Sequence, residues 1–101
     1  MSQMLTATQS GTLESNDIMI TLAPNFKGSG IKLELESVVL AQYGEVLRQV
    51  ILDTVTSQGV TDVLIKAVDR GALDCTVRAR VLVALERAGV KIRSLAEKTS
   101  N

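Results

Sequence analysis

Apolar positions change period several times along the chain, and each change marks an element. Ile18, Ile20 and Leu22 recur every second residue, opposite Met19, Thr21 and Ala23, which predicts a strand that Pro24 ends. Ile31, Leu33 and Leu35 then alternate with Lys32, Glu34 and Glu36, the pattern of a strand with one wet face. Between them, Asn25-Phe26-Lys27-Gly28-Ser29-Gly30 reads as a reversal, so the two strands are expected to form an antiparallel hairpin. The period next lengthens. Val39, Tyr43, Val46, Leu47, Val50, Ile51, Thr54 and Val55 recur at three and four residues, predicting an amphipathic helix with Ser37 as its N-cap and Gly59 as its stop. Val63, Ile65 and Ala67 restore a two-residue alternation for a third strand, expected to be buried on more of its surface. Val77, Val81, Ala84, Leu85 and Ala88 make the stripe of a second helix, with Asp74 at its cap or first turn and Gly89 at its end.

The predicted order is β-β-α-β-α: an α+β fold in which two helices cover one face of a small three-stranded sheet. Residues 1–14 are rich in Ser, Thr and Gln without a sustained apolar period, and read as a flexible N-terminal arm. Residues 15–90 form the folded domain, and 91–101 a polar C-terminal tail.

Composition narrows the chemistry. With 101 residues, 46% of them hydrophobic, the chain suits one domain with an aliphatic core, since Phe26 and Tyr43 are its only aromatic residues. So few aromatic faces argue against stacking on single-stranded nucleic acid, and eleven basic against eleven acidic residues leave no net field toward nucleic acid or an anionic membrane. The start Met1-Ser2-Gln3-Met4 has no secretory pattern, and no apolar run is long enough to span a bilayer, so the expected setting is cytoplasmic. Cys75 has no partner for an internal disulfide, which fits a reducing compartment.

Histidine is absent, which removes the Ser-His-Asp and Cys-His arrangements and the usual nitrogen ligands of zinc, so neither a catalytic nor a metal site is expected. Glu14 and Asp17 read as solvated charges rather than an acid-base pair. Cys75 reads as a small buried residue at a helix start, not as a working thiol.

Two segments stand apart from this inventory: Gly11-Thr12-Leu13-Glu14-Ser15-Asn16-Asp17 before the first strand, and Gly71-Ala72-Leu73-Asp74-Cys75 with Arg78-Ala79-Arg80 downstream. Together they resemble the acyl carrier subunit (gamma subunit) of citrate lyase over roughly residues 11–88. The resemblance implies a non-catalytic subunit in which Ser15 carries a covalent 2'-(5''-phosphoribosyl)-3'-dephospho-coenzyme A arm whose thiol bears acetyl and citryl groups. It implies as partners the acyl-transferase (alpha) and lyase (beta) subunits and a prosthetic-group transferase. Arg78 and Arg80, on different sides of the second helix, are candidates for contact with a partner subunit or the modifying enzyme. Citramalate lyase and malonate decarboxylase have similar carriers, and Thr12-Leu13-Glu14-Ser15 favours the lyases. A small interaction domain without a prosthetic group is the reading from another class.

Overall fold

A computed structural model describes residues 5–38 and 40–92. It contains β1 (Thr8–Gly11), β2 (Ile18–Pro24), β3 (Ile31–Ser37), α1 (Leu40–Ser57), β4 (Val63–Asp69) and α2 (Asp74–Arg87). The α+β class and two helices are as expected, but the sheet has four strands in the order β1-β2-β4-β3.

β2 and β3 do not form the expected hairpin. β4 lies between them, antiparallel to β2 with Ile18 opposite Asp69 and Pro24 opposite Val63, and parallel to β3 with Ile31 opposite Val63 and Ser37 opposite Asp69. The crossover through α1 brings β4 back beside β3, so β2 takes the remaining edge of β4. The Asn25–Gly30 connection spans the width of one strand, two spacings of about 4.8 Å, and is fastened to the start of β4. The Gly30 N–H donates to Asp62 Oδ1 at 2.8 Å, and the Val63 N–H donates to the Gly30 carbonyl at 3.2 Å.

β4 is central because both its edges are paired, not because both its faces are covered. Val63, Ile65, Ala67 and Asp69 are buried, whereas Leu64 and Lys66 are exposed. Ile18, Ile20 and Leu22 of β2 are fully buried on the same side, each contributing roughly 1.5–3 kcal/mol by leaving water. That burial fixes the strand immediately after Ser15.

The second correction concerns the N-terminal arm. β1 pairs antiparallel with β2, from Thr8 opposite Leu22 to Gly11 opposite Met19. Its ties to α2 are polar: Thr8 Oγ1 donates to the Ala84 carbonyl at 2.8 Å, the Thr6 N–H to the Ala88 carbonyl at 3.1 Å, and Arg87 Nη1 to the Gln9 carbonyl at 2.9 Å. Leu5 adds a buried side chain to the core. Backbone pairing and those three bonds hold a short edge strand that has no apolar alternation to betray it. Residues 1–4 and 93–101 lie outside the described residues, and with them most of the expected tail.

The helices lie on the buried side of the sheet, α2 against β1 and β2 and α1 against β3. Leu47, Val50, Ile51, Thr54 and Val55 of α1 are buried, but Tyr43 and Val46, expected on the same stripe, are 49% and 42% exposed. Val39, expected on the same stripe, lies outside the described residues, which begin α1 at Leu40. The expected cap, Ser37, is held by the sheet. It ends β3, where its hydroxyl donates to Asp69 Oδ2 at 2.8 Å. In α2, Val77, Val81, Ala84 and Leu85 face the core, and Asp74 falls in the first turn. Its end follows the expected glycine stop: Gly89 adopts φ +105°, its N–H donates to the Glu86 carbonyl, and the Val90 N–H reaches back to the Leu85 carbonyl. No helix among the described residues is long and apolar enough to cross a membrane.

Candidate functional site

Ser15 sits in the β1–β2 connection, at the end of the sheet where β4 and β3 finish and α2 begins. The connection is ordered from within. Asp17 donates its N–H to the Glu14 carbonyl at 3.2 Å, closing a four-residue turn with Ser15 and Asn16 at its centre. Asn16 has φ +65°, alone among the described non-glycine residues in being positive, which the third position of such a turn accepts most readily from Gly or Asn. Thr12 Oγ1 accepts the Glu14 N–H at 3.2 Å. Ser15 therefore occupies the tip of a built turn rather than a loose leader.

A second layer fastens this turn to the body. The Asn16 N–H donates to the Arg70 carbonyl, and the Arg70 N–H donates to the Asp17 carbonyl, each at 2.8 Å. With Asn16 and Asp17 both opposite Arg70, these bonds extend the β2–β4 pairing beyond Ile18 and Asp69 as a bulge. The downstream segment thus comes against the Ser15 turn: Gly71 adopts φ +96°, and a β-carbon there would lie 3.6 Å from Asn16 Oδ1. Asp69 is 1% exposed and organises the same corner. Its carboxylate accepts the Ser37 hydroxyl at 2.8 Å and the Ala72 N–H at 3.0 Å.

Asp17 is not the solvated charge expected. Its side chain is 13% exposed and meets Arg80 at 2.8 Å. Arg80 Nε donates to Oδ1 at 3.0 Å and Nη2 to Oδ2 at 2.8 Å, a two-pronged fork. The Ile18 N–H adds a bond to Oδ1 at 2.7 Å, and the Thr12 hydroxyl one to Oδ2 at 2.6 Å. Each oxygen thus accepts two hydrogen bonds. The Arg80 hydrogen bonds, aided by Thr12 and the Ile18 amide against the cost of burial, lower the Asp17 pKa from 3.8 to about 2. Asp17 in turn holds the Arg80 guanidinium more firmly charged.

The candidate residues consequently separate. Ser15 is exposed, and its hydroxyl has no hydrogen-bond partner among the described residues. Arg78 is exposed, whereas Arg80 is committed to Asp17. Cys75 is exposed rather than buried, because the first turn of α2 turns that position outward while Val77 and Val81 face the core. Beside the turn, Leu13 and Leu73 are 49% and 71% exposed. A shallow groove of about 400 Å³ lies elsewhere, on the open face of the sheet among Thr21, Ala23, Lys32, Glu34, Leu64 and Lys66. No cluster of three or more acidic, Cys or His side chains among the described residues is arranged to hold a metal ion.

Sequence reasoning missed the Asp17–Arg80 pair and Asp69. The pair's partners are separated by 63 positions, and no local period connects them. Only the occurrence of both in the two unusual segments pointed toward their meeting.

This fold recurs in a solved structure. A chain of a Pseudomonas malonate decarboxylase hetero-tetramer, crystallised with malonate, superposes with a TM-score of 0.72 at 20% identity, over 85% of this chain and 87% of that one. The family model described as "Malonate decarboxylase delta subunit (MdcD)", of the acyl carrier type, matches residues 6–88. A family match over that much of the chain places it in the class of acyl carrier proteins.

Closer relatives specify which kind. A citrate lyase acyl carrier protein of Streptococcus equi subsp. zooepidemicus is 51% identical over 78 residues, 77% of this chain and 76% of that protein. Those of Halothermothrix orenii and Vibrio cholerae are 50% and 49% identical over 78 residues, again 77% of this chain, and 81% and 79% of theirs. The chain belongs to the citrate lyase acyl carrier protein family, and is a carrier subunit rather than an enzyme.

Proposed function

We propose that this chain is the acyl carrier subunit of a citrate lyase, with Ser15 as the attachment point of a 2'-(5''-phosphoribosyl)-3'-dephospho-coenzyme A arm. The observation that carries the reading is the exposed, unengaged hydroxyl of Ser15 at the tip of a turn whose flanking backbone N–H groups are engaged. The site fits such a group. A phosphodiester needs an alcohol oxygen open to solvent on several sides, and nothing in the turn encloses that oxygen.

When attached, the arm supplies a thiol on which acetyl and citryl groups are held as thioesters while citrate is cleaved to acetate and oxaloacetate. The chain itself performs no bond chemistry. In the site of a prosthetic-group transferase, Ser15 Oγ gives up its proton and bonds the 5''-phosphorus of a polyphosphorylated donor, whose P–O bond to the departing pyrophosphate breaks, so that the serine oxygen becomes an ester oxygen of the phosphodiester. Arg70, whose backbone is bonded to the turn, and Arg78 on α2 are both exposed and provide cations for the transferase or for the acyl-transferase and lyase subunits to meet. Tethering keeps the thioester at high effective concentration near those subunits. The setting is cytoplasmic, with no nucleic-acid or membrane partner.

The family description names malonate decarboxylase, but relatives near 50% identity are citrate lyase carriers, and these favour the lyase. Peptide mass spectrometry after co-expression with the modifying enzymes tests the assignment. The arm's mass should appear on the peptide containing Ser15 and vanish in Ser15→Ala. Retention of the added mass in Ser15→Ala, or its absence from the wild-type chain, refutes the assignment.

A further inference from the structure

We propose that Asp17 and Arg80 form a positioning clamp, fixing the Ser15 turn in one orientation for the enzyme that modifies it. The inference deepens the proposed function and rests on Ser15 being the attachment point.

The hydrogen bonds around Ser15 show the selectivity of the arrangement. The N–H groups of Glu14, Asn16, Asp17 and Ile18 are all engaged, by Thr12 Oγ1, the Arg70 carbonyl, the Glu14 carbonyl and Asp17 Oδ1 respectively. Ser15 between them has neither its N–H nor its hydroxyl engaged among the described residues. The backbone on either side of Ser15 is held while its own N–H and hydroxyl are left available.

Asp17 is where these restraints converge. Its N–H closes the Ser15 turn, its carbonyl accepts from Arg70, and its carboxylate gathers Thr12, Ile18 and the Arg80 fork. Thr12, Ile18 and Arg70 belong to the β1–β2–β4 end of the sheet, and among the described residues the hydrogen bonds that join the turn to α2 come from Arg80. Four hydrogen bonds to two oxygens set both the position and the rotation of the carboxylate, and hence the direction in which the turn projects. A guanidinium suits this task because its planar fork matches a carboxylate, whereas an ammonium meets it as a point charge. Space for the Arg80 stem comes from Gly11, where a β-carbon would stand 3.3 Å from Arg80 Cδ.

Presentation matters because the serine is a substrate for another protein. Misplacing a reacting group by about 1 Å costs on the order of 100-fold in rate. Neither Asp17 nor Arg80 needs to touch the donor, so both are positioning residues.

The test compares Arg80→Gln, Arg80→Lys and, as a control at the opposite end of the sheet, the exposed Lys27→Gln, in the full chain, by amide hydrogen exchange and by steady-state loading with the transferase and its polyphosphorylated phosphoribosyl-dephospho-coenzyme A donor. In Arg80→Gln, the amides of Asn16, Asp17 and Ile18 should exchange about tenfold faster, beyond any change at the core amides of Ile20 and Ala67. The kcat/KM for loading should fall about 10- to 100-fold, mainly in kcat, with the added mass still on Ser15. Arg80→Lys should recover part of both losses, and Lys27→Gln should leave the loop amides and the loading rate unchanged.

If the wild-type chain loads at Ser15 and folded Arg80→Gln matches it in loop exchange and loading, the clamp is refuted while the attachment site stands. If Ser15→Ala still acquires the arm, the attachment site itself is wrong. Asp17→Asn, which keeps the side-chain shape and removes its charge, answers the same question should Arg80→Gln fail to fold.

Discussion

Gly11→Ala isolates the contact on which the Ser15 connection closes. A β-carbon at Gly11 would stand 1.8 Å from the Ile18 carbonyl oxygen, short by about 1.7 Å of an ordinary contact near 3.5 Å. The oxygen cannot retreat freely, because the Ile18 side chain is fully buried and its backbone is laddered to Asp69. Gly11 also has φ +95°, which costs an L-residue roughly 1–2 kcal/mol by itself. Adding about 2 kcal/mol for the forced displacement gives a loss of roughly 3–4 kcal/mol. Gly28→Ala supplies the control, since Gly28 has φ +84° with nothing within 4 Å of its β-carbon position. It should show only the dihedral cost, about 1–2 kcal/mol. At about 4–8 °C per kcal/mol for a domain of this size, the extra loss of about 2 kcal/mol should make Gly11→Ala melt roughly 8–16 °C below Gly28→Ala. Circular dichroism melts of the two variants side by side make the comparison, and amide exchange locates the damage, expected first at Thr8–Gly11 because separating this edge strand relieves the clash. Melting temperatures for the two variants within about 4 °C of one another would refute the argument that the close approach, rather than φ, requires glycine here.

Two further predictions rest on polar groups. The stability contributed by Asp17 is governed by a folded pKa of about 2 against an ordinary 3.8. It should be complete above the ordinary value and lost as pH falls through the interval between them, because protonation removes the charge that Arg80 grips. Urea melts between pH 2 and 5 should therefore show a smaller acid slope in Asp17→Asn than in the wild type, and equal slopes would contradict the pairing. Ser10 is 3% exposed in β1, and its hydroxyl lacks a partner among the described residues. Ser10→Ala should stabilise the chain by about 1 kcal/mol by removing an unsatisfied buried group, whereas a loss of that size would show that the hydroxyl is bonded in solution.

How far the sequence revealed the fold depended on whether an element's signal was local. β2, β3 and β4 follow from alternation at Ile18–Leu22, Ile31–Leu35 and Val63–Ala67, and Gly89 marks the end of α2 as expected. Pairing did not follow, since alternation tells which face is buried but not which edge meets which. Proximity in sequence made a β2–β3 hairpin attractive, yet β4 separates those strands. β1 was invisible for a different reason: Thr8-Gln9-Ser10-Gly11 is held by backbone pairing and by bonds to α2, not by an apolar stripe. At the site, the resemblance singled out Ser15, but the bond network around it joins residues far apart in sequence, with Thr12, Asp17, Arg70 and Arg80 meeting only in the fold.

That network changes where motion is needed in the proposed carrier. A loose leader would add reach but would present its serine in many orientations, each needing to be ordered when the transferase binds, at about 1–2 kcal/mol per backbone residue. The built turn has met that entropy cost during folding. Glu14, Asn16, Asp17 and Ile18 are already engaged, and β2 continues from the turn directly into three fully buried side chains, Ile18, Ile20 and Leu22. Under the proposed function, freedom to visit successive partner sites then resides in the attached arm rather than in the polypeptide. The division has a physical advantage: a fixed anchor defines the centre of the volume swept by the thiol, so docking the body sets which partner site lies within reach.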